Sequence, residues 1–351
     1  MTPGTSDRKL DHIRIVSKED VQAKQKTTWL EYVDIVHQSI PELNKGDIDL
    51  SAKFLGHKLN YPILISGMTG GHPEAQKINE TLAAAAEKTG VAMGVGSQRA
   101  MLESPELAET YQVRKKAPHI LLFGNLGIPQ LEKYGTAGVE KAAKSIGADA
   151  FSVHLNNLQE VVQREGDVNA AGYEKSLAKI CKSAKLPIIA KETGAGISRE
   201  AAKSLIKAGV SAIDTGGAGG TSWSAVEILR GRANKESIAF WDWGIPTAAS
   251  ILEVRSASKS IPVIASGGLR TGLEAAKCIA LGADMVGMAY PFFKAAENGV
   301  GEVVKTIHEI AEGMKNAMFL AGAKNIAALK TADYVIYGRL LDWATWRKLK
   351  K

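Results

Sequence analysis

Hydrophobic and polar positions follow two regimes along the chain, divided near residue 60. Before that point they mix without a steady period. Ser17 to Leu30 has helical spacing, and a charged cluster, Asp7-Arg8-Lys9-Leu10-Asp11-His12, precedes it in a stretch that reads as irregular. After it, short apolar runs recur at Pro62–Ser66, Val91–Val95, Ile120–Gly124, Ala150–Val153, Pro187–Ala190, Ala212–Asp214, Pro262–Ala265 and Met285–Met288. Continuous apolar runs of this length suit strands covered on both faces, as in parallel sheets. Amphipathic helical segments fill the intervals, most clearly Glu74–Thr89, Arg199–Ala208 and Gly272–Ala280. The last two stop at Gly209 and Gly282, as helices do. Eight strand–helix units predict a (β/α)8 TIM barrel with right-handed crossovers, and a doubly wound open sheet is the alternative.

On this reading residues 1–60 are an N-terminal extension, 61–299 the barrel and 300–351 C-terminal helices, in a single domain. The interval after the sixth strand is long. Residues 221–243 carry Trp223, Trp241 and Trp243, and a long loop in a compact domain is usually functional. The aromatic tail, Tyr334, Tyr337, Trp343 and Trp346, is expected to pack on a surface or a neighbouring subunit.

Composition narrows the function classes. The 351 residues are 45% hydrophobic and 23% charged, a globular profile. The net charge of +7 mildly favours anionic partners, but basic residues are scattered. Without basic–aromatic interleaving this argues against nucleic-acid binding. The densest basic run, Arg347–Lys351, reads as a solvated terminus. Cys181 and Cys278 sit in helical patterns as buried thiols, which suits a reducing compartment. No apolar leader or membrane-length run is visible, so a cytoplasmic protein with no membrane contact is expected.

A barrel site lies at the C-terminal ends of the strands. Those ends read SGMTGG (66–71), GSQR (96–99), NLG (125–127), HLNNLQE (154–160), KETG (191–194), DTGGAGGTSW (214–223), SGGLRTG (266–272) and MAY (288–290). Loops six and seven are rich in glycine and hydroxyls and each opens a helix, which suits a phosphate, with Arg270 as a bidentate partner. Thr69, Ser97, Asn125 and Lys191 offer hydroxyl, amide and ammonium groups around a bed of small residues, which suits the edge of a flat heteroaromatic ring. A rim salt bridge from Lys191 to Glu192 or Glu160 satisfies the same residues. His154 is either an acid–base group or a hydrogen-bonded rim histidine. Glu160 is either a Mg²⁺ ligand completed by substrate phosphates or a first-turn helix residue.

Taken in order, RKLDH (8–12), SGMTGG, GVGSQR (94–99), NLG, HLNNLQE, KETGAG (191–196), DTGGAGGTSW, WGIPT (243–247), SGGLRTG and ADMVGMA (283–289) resemble the type 2, FMN-dependent isopentenyl-diphosphate isomerases. The resemblance implies interconversion of isopentenyl and dimethylallyl diphosphate, with reduced FMN as acid and base. It implies Mg²⁺ on the diphosphate, NADPH or another reductant to keep the flavin reduced, and a homotetramer or homo-octamer. It assigns the flavin to Gly67, Met68, Thr69, Ser97, Asn125, Lys191, Thr221, Gly268, Leu269, Arg270, Ala289 and Tyr290. It assigns the substrate to Arg8, Lys9, His12, Ser97, Gln98, Arg99, His154, Asn156, Gln159 and Trp223. Gln159 and His154 stand by the reacting carbons and Glu160 is the metal ligand. Some relatives carry serine where this chain has Gly216, so a flavin contact from that side chain is missing. Trp223, with Trp241 and Trp243, is expected to close over the alkene. An FMN barrel oxidising 2-hydroxy acids is the rival, with His154 and Arg99 recruited to it, but it leaves Arg8 and Lys9 without a purpose.

Overall fold

The computed structural model describes residues 5–163, 166–231 and 235–349. Eight parallel strands close into a barrel: β1 (Ile63–Ile65), β2 (Ala92–Gly94), β3 (Leu122–Gly127), β4 (Ala150–Leu155), β5 (Ile188–Glu192), β6 (Ala212–Asp214), β7 (Val263–Ser266) and β8 (Met285–Met288). Pairing of Val286 with Ile63 joins the last strand to the first, which excludes the open sheet. Strands β3 and β4 run two or three residues further than their apolar runs, so Asn125 and His154 belong to the strands and not to the loops after them.

The alternation of side chains along each strand sets two cores. Leu64, Ala92, Phe123, Ala150, Ile189, Ala212, Ile264 and Met285 point inward and fill the barrel. Phe54 and Leu59, from an antiparallel hairpin of Ala52–Phe54 with His57–Leu59, join that cluster. Residues such as Ile63, Ile65 and Ile213 belong to the larger cluster shared with the surrounding helices. With its lower interior filled, the barrel has room for a ligand only at the C-terminal end.

The helix expected over residues 17–30 is displaced. A helix, α1 (Thr5–Lys18), covers the charged cluster instead. Its apolar residues Ile13 and Val16 pack with Ala75 and Phe293. Residues 19–29 are not helical because their backbone pairs with loop six: Ala23 N–H donates to Gly220 O at 2.7 Å and Ser222 N–H to Val21 O at 2.8 Å. The 221–243 interval is also more ordered than a loop. It holds a two-turn helix, α2 (Trp223–Leu229), and a 3-10 turn at Lys235–Phe240, with residues 232–234 outside the described residues.

Tyr334–Ile336 pairs antiparallel with Val33–Ile35, so the C-terminal segment clasps the N-terminal one. Trp343 meets Trp29 edge-on at 5.8 Å, and Tyr337 meets Tyr32 at 6.0 Å. The aromatic tail thus packs largely on its own chain, while Trp346 stays exposed. Arg347 is not a solvated terminus: it pairs with Glu253 at 2.8 Å and with Glu200. Lys350 and Lys351 lie outside the described residues.

Candidate active site

All eight strand ends contribute to one cavity of about 1320 Å³, counting its open mouth. Backbone dominates its floor, at Gly67, Gly96, Gly216, Gly217, Gly267, Gly268 and Gly287. A Cβ on Gly67 would stand 2.2 Å from Val95 O. At Gly268 the backbone is left-handed (φ +76°), and a Cβ would stand 2.6 Å from Gly219 O. The strand ends are packed too closely for side chains, and the resulting flat surface suits a planar ring. Gly216 (φ +46°) has its absent Cβ 2.1 Å from Glu192 O, so a serine there requires the backbone to move.

Polar groups stand around this floor. Ser66 Oγ is buried without a partner. Lys191 donates to the Glu192 carbonyl at 2.9 Å and lies 3.5 Å from Asp214 Oδ2. Asp214 is its register neighbour and accepts from the Ser266 hydroxyl. Neither the Glu192 nor the Glu160 carboxylate takes the rim bridge expected of Lys191. Glu192 is buried, and its Oε2 accepts from Thr193, Gly194 and Ala195 N–H at 2.6, 2.7 and 2.5 Å. Burial nevertheless pushes its carboxyl up to about 7.

Arg270 donates to Gln22 Oε1 at 2.6 Å and to Leu269 O at 2.9 Å, with its guanidinium 5.1 Å above the Tyr290 ring. The helix Gly272–Ala280 does not present a free N-terminus as expected. Thr271 and Glu274 form a capping box, Glu274 also accepts from Arg270 N–H, and a Cβ on Gly272 would meet Ile310 O at 2.1 Å. Ser222 caps α2 in the same way at 3.1 Å. The groups on this side that line the cavity and could meet an anion are the Gly268–Leu269 backbone, Arg270 and Thr221, the last two each one residue before a capped helix start.

A cluster of cations occupies the opposite part of the wall. Arg8 and Lys9 come from α1, and Arg99 opens the short helix Arg99–Glu103 that follows β2. Arg8 Nε is buried without a partner among the described residues, and burial, then Arg99, lowers the guanidinium's affinity for its proton. Burial, then Arg8 and Arg99, pushes the Lys9 ammonium down to about 8. Of the three, only Arg99 has an ion pair among the described residues, with Glu103 at 2.8 Å. Partly buried like charges held close together with few counterions are costly and are stabilised by an anion. His154 stands beside them, pushed down to about 3 by burial, then Lys9 and Lys191. It is therefore neutral. Its Nδ1–H donates to Asn125 Oδ1 at 2.8 Å, which leaves Nε2 as an acceptor.

A third group was not legible in the sequence. Glu227 of α2 is fully buried. Its Oε1 accepts from His12 Nε2 at 3.0 Å and Gln159 Nε2 at 2.9 Å, and Oε2 pairs with Arg230 at 2.8 Å. Burial alone would raise this carboxyl, but the His12 contact, Gln159 and Arg230 outweigh it and hold it ionised. Burial lowers His12 in turn, against the pull of Glu227. The Trp223 ring meets His12 edge-on at 5.3 Å. Its two companions do not reach the cavity. Trp241 Nε1 donates to Gln22 O at 2.9 Å, and Trp243 is 61% exposed against Phe240.

Glu160 lines the cavity and accepts from Asn156 Nδ2 at 2.7 Å, Gln163 Nε2 at 2.6 Å and Asp167 N–H at 2.8 Å. Asn156 Oδ1 is buried without a partner beside it. Met68, Ser97, Leu269 and Ala289 also line the wall, so the cavity gathers most of the expected residues. Two expectations need correction. Gln98 is fully buried and turned outward, donating to Ala142 O at 2.8 Å and accepting from Asn125 N–H at 3.0 Å, so it braces the barrel and makes no contact in the cavity. Thr69 lies behind the wall: its carbonyl accepts from Gly96 N–H at 3.0 Å, while its buried hydroxyl has no partner.

The profile of a family described as FMN-dependent dehydrogenase matches residues 135–336. The chain is 50% identical over 343 residues to the isopentenyl-diphosphate delta-isomerase of Methanothermobacter thermautotrophicus, covering 97% of this chain and 96% of that one. It is 47% identical over 349 residues to the isopentenyl-diphosphate delta-isomerase of Archaeoglobus fulgidus, covering 98% and 99%. Among solved structures, a mandelate oxidase variant with an FMN adduct superposes with a TM-score of 0.65 at 20% identity, over 95% of this chain and 93% of the other, which bears on the fold.

Proposed function

The chain belongs to the isopentenyl-diphosphate delta-isomerases, and from that premise we propose that it interconverts isopentenyl and dimethylallyl diphosphate in this cavity, using reduced FMN and Mg²⁺. The observation that carries the proposal is the cluster of Arg8, Lys9 and Arg99, in which only Arg99 has an ion pair among the described residues, facing a glycine floor across a single cavity. The floor fits a flavin ring, with Lys191 at its edge and the partnerless Ser66 hydroxyl beside it. The cation cluster fits a diphosphate. Glu160 and the orphan Asn156 Oδ1 fit a Mg²⁺ that takes its remaining ligands from phosphate oxygens and water.

The reaction removes a proton from one carbon and adds one to another, with no net redox change. Bound reduced FMN supplies an electron-rich, proton-exchanging ring next to the alkene. The rest falls to this chain. Arg8 and Lys9 anchor the diphosphate, and α1, which also carries His12, covers the cavity and excludes water. Neutral His154 accepts a hydrogen bond through Nε2 and adds no charge to the cluster. Gln159 is held by Glu227 through Nε2–H, which leaves its carbonyl to face the substrate and orient a proton in transit. The Trp223 ring stabilises positive charge developing on the branched carbon by about 1–2 kcal/mol in a desolvated site, while Glu227, paired with Arg230, holds His12 and Gln159 in place.

The 2-hydroxy-acid reading is weaker here. It needs a basic histidine, and His154 at about 3 among cations is a poor base. The test is anaerobic incubation of the FMN-loaded, chemically reduced protein with isopentenyl diphosphate and Mg²⁺. Dimethylallyl diphosphate is the expected product, and its absence overturns the proposal.

A further inference from the structure

The main cavity does not end at Trp223. A narrower space lies behind the indole and shares Gln159, Thr193, Gly194, Thr221 and Trp223 with it. Leu158, Ala195, Ala218 and Trp241 also line it, together with the polar Lys26, Ser222 and Asp242. It continues past Leu158, Ala195 and Trp243, which line both, into an open outer cavity whose lining includes Val161, Phe240 and Ile245. Trp223 is the one bulky group in the partition. The ring is also held in place. His12 meets it edge-on, it packs on the cluster of Val21, Ala225 and Val226, and a Cβ built on Gly194 would meet its Cδ1 at 4.0 Å.

We propose that Trp223 sets the upper size limit of the substrate's hydrocarbon by standing as a pinned wall between the main cavity and the narrow space behind it. The inference rests on the isomerase reading above. With the diphosphate assigned to Arg8, Lys9 and Arg99, the hydrocarbon extends toward the side lined by Gln159 and Trp223. An added methylene there meets a pinned indole. Excluding one methylene from an apolar pocket discriminates by roughly 10- to 200-fold. Truncating the indole frees the volume it fills and gives that methylene an apolar environment beside Val21, Ala225 and Val226. The chemistry of a longer homologue is unchanged: one proton leaves the carbon next to the C–O carbon, and one is added at the terminal alkene carbon.

The experiment compares wild type, W223F and W223A, each reduced and FMN-loaded. The substrates are isopentenyl diphosphate and the homologues with ethyl or propyl in place of the methyl group. Wild type should turn over the five-carbon substrate and reject both homologues. In W223A the ratio of kcat/KM for the ethyl homologue to that for isopentenyl diphosphate should rise at least about 10-fold, and W223F should move it the same way by less. Dissociation constants of the saturated alkyl diphosphates on the oxidised protein should shift in the same order without turnover. Retained flavin shows that each variant is folded. If both variants keep flavin and neither ratio nor affinity order changes, the inference is overturned. The same holds if W223A loses the five-carbon activity without gaining a homologue. Failure of wild type to isomerise isopentenyl diphosphate would instead overturn the function itself.

Discussion

Replacing Lys9 by methionine should stabilise the ligand-free protein while destroying its affinity for diphosphate. The half-buried ammonium faces Arg8 and Arg99 and pairs with no carboxylate among the described residues. The gap between its ordinary 10.5 and its value of about 8 in the fold, at ~1.4 kcal/mol per pH unit, amounts to about 3 kcal/mol. The unfolded chain binds this proton more tightly than the folded one. Between about pH 8 and 10.5 the unfolded state therefore holds more protons, and stability rises with pH. The penalty is fully present below about pH 8 and gone above 10.5. Methionine keeps most of the apolar stem and removes the charge. In urea unfolding at pH 7 without ligand, Lys9→Met should be more stable than wild type by up to about 3 kcal/mol, and the difference should close toward pH 10.5. Inorganic pyrophosphate should reverse the ranking, because it stabilises only the protein that binds it. A variant less stable than wild type at pH 7, or a difference that does not vary with pH, would refute the reasoning.

Four further outcomes follow from the same geometry. Activity in the wild type, as kcat/KM, should fall as pH rises through about 8, where the free enzyme loses the Lys9 proton, and Lys9→Met should lack that limb. Gln159→Ala should keep FMN, read from its visible absorbance, and lose at least about 100-fold in kcat. Glu227→Gln, which removes the charge facing His12 and Arg230, should lower both kcat and the unfolding free energy, the latter by about 3–5 kcal/mol. Gly268→Ala, whose Cβ would fall 2.6 Å from Gly219 O and 2.5 Å from Thr28 Cγ2, should bind FMN at least about 10-fold more weakly in a flavin titration.

The barrel was legible because each strand is a continuous apolar run, a pattern imposed by burial on both faces. The strand-end motifs then indicated where the cavity residues fall. The N-terminal helix was misplaced although Leu10, Ile13 and Val16 carry its period, because a dense charge run masks a short apolar stripe. Residues 19–29 have helical spacing, yet their backbone groups satisfy loop six, a tertiary preference that local pattern does not encode. Glu227 was invisible for a related reason. Its partners His12 and Gln159 are 215 and 68 positions away, and nothing near it in the chain marks it as buried. Gln98 shows the reverse error: it adjoins cavity residues in sequence, but its place at the start of the helix Arg99–Glu103 turns it into the wall.

The central claim is isomerisation without net redox change, and one measurement addresses it most directly. The reduced, FMN-loaded protein is mixed anaerobically with isopentenyl diphosphate and Mg²⁺ in deuterated water, and product and flavin spectrum are followed together. Dimethylallyl diphosphate carrying deuterium in its methyl groups, formed over many turnovers with the flavin still reduced, is the predicted result. No allylic product, or product formed only in proportion to flavin oxidised, would contradict the account.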